Sequence, residues 1–180
     1  MTIITINGRA GSGKSTAARL LAKKLGYKHY SNGEFMREMA EERKISLLEL
    51  SKIAEKDRSI DEELDQRQIQ LGIKEDNFVI DSRLGFHFIP NSIKIFLDAD
   101  FEERAKRILA DNIRKESNIS LETTKENMKK REDSEIKRYQ EYYHINHYDK
   151  KYCDLVIDTT KIKPEQVVDK ILKFIKKKQN

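Results

Sequence analysis

The chain lacks most of the features that would assign it to a membrane, a secretory route or a disulfide-stapled scaffold. Its 180 residues include one cysteine, Cys153, so no disulfide can form within the chain and no cysteine-based metal site exists. Cys153 follows Tyr152 just ahead of a strand-like run, which suits a buried and inert thiol. No apolar stretch approaches the roughly 18 residues of a membrane span. The N-terminus enters a strand-like run at once and carries no secretory signal pattern, so a cytoplasmic location is expected. Only two prolines occur, Pro90 and Pro164, so hinges are not marked by proline, and there is neither an internal repeat nor a Gly/Ser-rich linker. The four histidines show no metal-ligand spacing beyond His144-x-x-His147, too little for a zinc site. A block of positive charge is also missing, although the net charge is +5 and the sequence pI about 9.1. The run Lys176-Lys177-Lys178 complements the dipole of a last helix better than it would grip a nucleic acid. No nucleic-acid or membrane partner is expected; a basic cleft for a polyphosphate ligand fits the charge better.

What the chain does contain is patterned. Charged and hydrophobic residues each make up 37% of it and mean hydropathy is −0.78, but the apolar residues come in short periodic runs, unlike those of a disordered chain. Strand-like runs at 2–7, 28–30, 77–81, 92–98 and 154–158 alternate with helical patterns. That alternation implies one α/β domain with a parallel five-stranded sheet. Gly26 suits the end of a first helix, and Ser31-x-x-Glu34, Ser46-x-x-Glu49 and Asp100-x-x-Glu103 resemble helix starts. Pro164 opens a last amphipathic helix with Val167, Val168, Ile171, Leu172 and Ile175 on its apolar face. Two helical excursions interrupt the alternation, at about 31–73 and about 107–147, and suggest a binding flap and a lid within a single domain spanning 1–180.

The strongest motif is Gly8-Arg9-Ala10-Gly11-Ser12-Gly13-Lys14-Ser15, followed by Thr16, which fits G-x-x-x-x-G-K-S/T between a β-branched run and an amphipathic helix. Glycines let successive N–H groups turn inward around phosphate oxygens, and the helix N-terminus adds positive potential. Lys14 can reach terminal phosphates and the Ser15 hydroxyl can ligate Mg²⁺, so ATP phosphates are expected in this loop. Asp81 ends the apolar run Phe78-Val79-Ile80 at the sheet edge where ligands bind; it is a candidate acidic partner of the Mg²⁺ shell, or a turn cap. Arg83 beside it can take a second phosphate. Ser31 and Arg37 either approach one site or serve as a helix cap and a solvated residue. Arg131 and Arg138 lie seven positions apart, on one helix face, and can project toward a transferring phosphoryl group. Arg104 and Arg114, interleaved with acids, suit a solvated face. Asp61-x-x-x-Asp65 could read a base or ribose, though pairing with Arg58 and Arg67 on the helix surface is the preferred reading.

These stretches together resemble the nucleoside monophosphate kinases, and within them the short cytidylate kinases typical of archaea. The resemblance rests on the phosphate loop, Ser31-x-Gly33-Glu34-x-x-Arg37-Glu38, Ile60-Asp61-x-Glu63-Leu64-Asp65-x-Arg67-Gln68, Asp81-x-Arg83-Leu84, Glu103-Arg104-Ala105-x-Arg107-Ile108 and Arg131-Glu132-x-Ser134-Glu135-x-Lys137-Arg138-Tyr139, which span most of the chain. It implies a three-layer P-loop NTPase fold and transfer of the γ-phosphoryl of ATP to CMP or dCMP, with Mg²⁺ at Ser15 and Asp81, by a monomer. It further implies Ser31, Arg37 and Arg83 at the acceptor, and Arg107, Arg131 and Arg138 at lid and phosphate positions. One departure bears on acceptor identity: where those kinases often carry Glu-Gly-Arg, this chain has Asp81-Ser82-Arg83. A kinase for another small acceptor and a nucleotide-binding relative without catalysis are the competing expectations.

Overall fold

A computed structural model describes residues 2–111 and 120–179. Arg114 and the rest of 112–119, part of the expected lid, lie outside the described residues. Strands β1 (Ile3–Gly8), β2 (Lys28–Ser31), β3 (Phe78–Asp81), β4 (Ile93–Asp98) and β5 (Leu155–Asp158) form one sheet in the order β2-β3-β1-β4-β5. Every pairing is parallel. The central strand shows why: Ile4, Thr5, Ile6 and Asn7 are all buried, as in a strand covered on both faces.

Side chains alternate along each strand, so Ile4, Ile6, Val79, Ile95, Leu97 and Ile157 share one face. Helices α1 (Lys14–Leu25) and α8 (Pro164–Gln179) cover it with Ala17, Ala18, Leu21, Val167, Val168, Ile171 and Ile175. Gly26, at φ 69°, ends α1 in the left-handed region. The other face packs Phe78 and Ile80 against Ile89, beyond the short helix α5 (Gly85–Phe88).

Three helices fill the first excursion: α2 (Asn32–Glu42), α3 (Leu47–Ala54) and α4 (Ser59–Lys74), with a small core of Met39, Ala40, Leu50, Ala54, Ile60 and Leu64. Ser46 and Glu49 form a reciprocal capping box before α3: Glu49 accepts from the Ser46 N–H at 2.8 Å, and Ser46 Oγ accepts from the Glu49 N–H at 3.2 Å. Asp100 precedes α6 (Phe101–Ala110), but its carboxylate makes no cap bond; its N–H donates to Thr160 Oγ1 at 2.9 Å. Helix α7 (Leu121–Tyr143) follows and packs along α6 through Ala105, Ile108 and Met128, with Ala10 beneath. No helix among the described residues is long and apolar enough to cross a membrane.

The loop after β1 fits only because two residues lack a side chain. A Cβ on Gly8 (φ +145°) would lie 2.0 Å from the Leu97 carbonyl oxygen, and one on Gly11 (φ +79°) 2.6 Å from that of Arg104. Arg104 corrects the reading from its charge pattern. It is not solvated but 3% exposed. Its guanidinium donates to Ala99 O at 3.0 Å, to Ala10 O at 3.3 Å and to Glu132 Oε1 at 2.5 Å. Burial of the stem and satisfaction of the fork by two carbonyls and a carboxylate make a solvated position unnecessary.

Removing one partner of a buried ion pair leaves the other charge uncompensated. Arg104→Ala should therefore cost about 3 kcal/mol or more of unfolding free energy. Arg67→Ala, which leaves the more exposed Glu38, Glu42 and Glu63 without their shared cation, should cost less than about 1 kcal/mol. Equal losses in chemical denaturation would contradict this account.

Candidate active site

The phosphate loop closes through its own backbone. Ser12 N–H donates to Arg9 O at 3.2 Å, and Gly11 and Gly13 stand at φ 79° and 85°. Such alternation turns N–H groups toward one concavity. Gly13 has no side chain to cap α1, and the first turn of α1 carries no acid, so the positive end of the helix is uncompensated. Lys14 Nζ donates to Arg9 O at 2.9 Å, folded over the loop. Ala10 is buried, and Thr16 is exposed in the first turn of α1. Arg9 turns toward α7, pairing with the buried Glu132 at 2.7 Å and lying 4.3 Å over the Tyr148 ring.

Strand register brings Asp81 to the same place, because β3 pairs with β1 through Ile6↔Asp81. Asp81 Oδ2 accepts from Ser15 Oγ at 2.8 Å and from Ser31 Oγ at 3.1 Å, and Oδ1 meets His29 Nε2 at 2.7 Å. Burial pushes the Asp81 carboxyl up, but the bonds from His29 and Ser15 and the nearby Lys14 charge outweigh it and hold the group below its usual range. The turn-cap reading of Asp81 therefore gives way to a contact with Ser15. Ser31 serves twice, since its Oγ also accepts from Gly33 N–H at 3.2 Å to cap α2. Arg37 is exposed with no carboxylate partner among the described residues. A Cβ on Gly33 would lie 3.5 Å from Ser31 Oγ and 3.8 Å from Arg37 Nη1, so those two groups flank one glycine.

A small open cleft near the end of β3 is lined by Asn32, Asp61, Leu64, Asp65, Gln68, Arg83, Leu84 and Tyr139. Here the surface-pairing reading of Asp61 and Asp65 fails. Arg58 pairs with Glu62, and Arg67 with Glu38, Glu42 and Glu63. Asp61 and Asp65 are buried on the inner side of α4. Asp61 Oδ2 lies 3.2 Å from Arg138 Nε, close enough to pair but not aligned for a hydrogen bond. Asp65 accepts from the Tyr143 hydroxyl. Burial, with the Asp61 charge beside it, pushes the Asp65 carboxyl up to about 7 against the Tyr143 bond. Ser82 Oγ donates to Oε1 of Gln68, a side chain of the cleft wall, at 2.5 Å.

The remaining arginines sit on carboxylates. Glu135 receives Arg83 Nε at 2.5 Å and Arg131 Nε at 3.0 Å. Its burial raises the carboxyl, but the Arg83 and Arg131 charges reverse this and hold it well below the usual range. Arg107 lies elsewhere: it pairs with Glu103 at 2.9 Å and donates to the carbonyls of Thr159 and Thr160 at 2.9 and 3.2 Å. Thr159 Oγ1 in turn donates to Ser12 O at 2.9 Å, which joins that loop to the phosphate loop. The two spaced histidines form no metal pair. His144 ends α7 at φ 56°, and His147 is buried against the Tyr139 and Tyr148 rings, where burial lowers its pKa to about 3.

The sequence model described as the cytidylate kinase-like family matches residues 3–161. The chain belongs to this family. It is 38% identical over 174 residues to the cytidylate kinase of Methanobrevibacter smithii, covering 97% of this chain and 98% of that one. It is 42% identical over 166 residues to the cytidylate kinase of Pyrococcus abyssi, covering 92% and 88%. Among solved structures, an uncharacterized protein from Eubacterium ventriosum superposes with TM-score 0.72 at 24% identity, over 98% of this chain and 99% of that one. Shikimate kinase from Acinetobacter baumannii, in complex with shikimate, superposes with TM-score 0.63 at 17% identity, over 99% and 94%. At these identities the structures speak for the P-loop kinase fold.

Residues that sequence reasoning missed in this family member are Glu132, Glu135, Arg104 and His29. A signal existed for the first three. Thr124, Met128, Glu132, Glu135 and Tyr139 form the buried stripe of α7, and Arg104 sits in the stripe with Ala105 and Ile108 on α6. A charge inside an apolar stripe marks a buried partner.

Asp65 gives a pH prediction. Its proton is held more tightly in the folded than in the unfolded chain. The associated stability is complete below the ordinary value of 3.8 and is lost as pH rises through about 7. The Tm of the protein should therefore fall relative to that of Asp65→Asn between pH 5 and pH 8. A constant Tm difference would remove this assignment.

Proposed function

We propose that the protein transfers the γ-phosphoryl group of ATP to CMP or dCMP, producing the diphosphate and ADP. The observation that carries this reading is the shared wall of two sites. Asp81, bonded to Ser15 of the phosphate loop, is separated by one residue from Arg83, which lines the cleft of Asp61, Asp65 and Gln68. A donor phosphate in the loop and an acceptor phosphate at Arg83 would then stand side by side at the carboxyl edge of the sheet. The excursion at about 31–73 acts as the acceptor flap, and the one at about 107–147 as the lid.

In this reading residues Gly8 to Thr16 hold the ATP phosphates by backbone N–H groups. Lys14 leaves Arg9 O for the terminal phosphates. Arg107 braces the Thr159–Thr160 loop that borders the nucleotide. Ser15 Oγ and Asp81 are hard oxygen donors 2.8 Å apart, and this pair fits Mg²⁺ held directly by the hydroxyl and through water by the carboxylate. A Mg²⁺ held by Ser15 and Asp81 would supply charge neutralisation to the bound phosphates. Ser31, Arg37 and Arg83 receive the acceptor phosphate, and Arg131 and Arg138 stabilise the charge spread over the transferring group. Arg83, Arg131 and Arg138 start on carboxylates, so phosphate oxygens would replace carboxylates rather than water there. No covalent intermediate is required, because position and charge supply the rate. The protein acts as a monomer in the cytoplasm, with nucleotides as its partners.

ADP release with Mg²⁺ and ATP, measured against CMP, dCMP, UMP, AMP and GMP with an ATP-only control, tests the reading. CMP or dCMP should stimulate most; no stimulation by any acceptor would reject it. In the active enzyme, Lys14→Ala should lower kcat by about two to three orders of magnitude. Arg83→Ala should raise the KM for the acceptor far more than that for ATP. A Lys14→Ala enzyme with near-normal kcat would break the assignment of the loop.

A further inference from the structure

Three side chains close around one buried carboxylate, and only two of them belong to the chemistry above. Ser15 and Ser31 both donate to Asp81 Oδ2, at 2.8 and 3.1 Å. His29 alone takes Oδ1, at 2.7 Å through Nε2. His29 belongs to neither the phosphate loop nor the flap. It stands inside the edge strand β2, in register with Val79, while Ser31 pairs with Asp81. Alternation along β2 therefore puts His29 and Ser31 on the sheet face that carries Asp81, the face covered by α1. The ring is largely enclosed, with 15% of the side chain exposed against 7% for that of Asp81. An ionised carboxylate only accepts, so the His29 nitrogen that faces it donates.

We propose that His29 is a positioning residue for the nucleotide-bound divalent cation, a reading that rests on Ser15 and Asp81 as the metal-side pair. Two donors on one oxygen hold a point. A third donor on the other oxygen fixes the plane of the group. The last torsion of aspartate is broad and roughly two-fold, so without His29 the carboxylate can turn about the Cβ–Cγ bond. With His29 in place, Oδ2 stays aimed at the Ser15 hydroxyl. That matters for Mg²⁺, which demands near-ideal octahedral geometry and keeps several of its waters. Partners that orient a directly ligating group typically carry a roughly 10- to 100-fold effect on metal affinity; Asp81 meets the cation through water, so its partner is expected at the low end of that range.

The test compares His29→Phe, which fills the space without a donor, with His29→Gln, whose Nε2 can reach the same oxygen. Binding of Mn²⁺ to the protein–ADP complex is read by electron paramagnetic resonance, and ADP affinity in EDTA is read by calorimetry. His29→Phe should weaken Mn²⁺ binding about tenfold and raise the Mg²⁺ concentration for half-maximal turnover by a similar factor. Metal-free ADP affinity should stay within about twofold of wild type. His29→Gln should recover most of the Mn²⁺ affinity. Unchanged Mn²⁺ affinity in His29→Phe would overturn the proposal. So would a parallel loss of metal-free ADP binding, which marks a merely structural role, or a folded His29→Gln as impaired as the Phe variant. The acceptor takes no part in these measurements, so failure of the acceptor panel leaves them standing. Wild-type protein that binds ADP but no Mn²⁺ would overturn both this role and the metal-side reading of Ser15 and Asp81.

Discussion

The closeness of two backbones at Gly8 and Gly11 is the constraint on which the rest of the structure depends. With any side chain at these positions the loop would collide with the Leu97 and Arg104 carbonyls. Without them the loop lies flat on the ends of β4 and α6. That seating lets the Arg104 guanidinium reach back to Ala10 O and onward to Glu132. Glu132 also holds Arg9, so one buried carboxylate fastens α7 to both the loop and α6. The wall of the phosphate loop and the anchor of the long helix are the same set of atoms.

Beyond that anchor the site is organised by charge in a place with little water. Asp61, Glu132 and Glu135 are buried, and each faces at least one arginine. A carboxylate holds an arginine in roughly the geometry that a phosphate would, through the same planar fork. These carboxylates therefore keep the arginines assembled without mutual repulsion. Asp65 is the exception in kind. It faces a tyrosine rather than an arginine, and burial keeps its proton on up to about neutral pH.

The sheet, the phosphate loop and the helical excursions were legible because each depends on local pattern. Five apolar runs became five strands whose ends moved by about one residue. The position of Asp81 at a strand end was likewise readable. Burial of charged residues was not. Asp61 and Asp65 share a helix turn with Arg58 and nearly with Arg67, and spacing alone assigns them to the outside. The structure turns that turn inward because Ile60 and Leu64 must meet the flap core, and each aspartate directly follows one of them. Arg104 was misread for the same reason beside Ala105 and Ile108. His29 could not be found from local pattern at all, because its partner lies across a strand pairing that only the register of β2 against β3 defines.

Ser31 joins two elements at one atom. Its Oγ caps the first turn of α2 and donates to Asp81, so the root of the first helical excursion is tied to the carboxylate beside the phosphate loop. A helix fastened at its first residue swings as a lever about that end. Any swing of it would be largest at the distal tip near α3 and smallest at the root. In the proposed reading, a flap hinged there would sweep over an acceptor while the geometry beside the donor phosphates stays still.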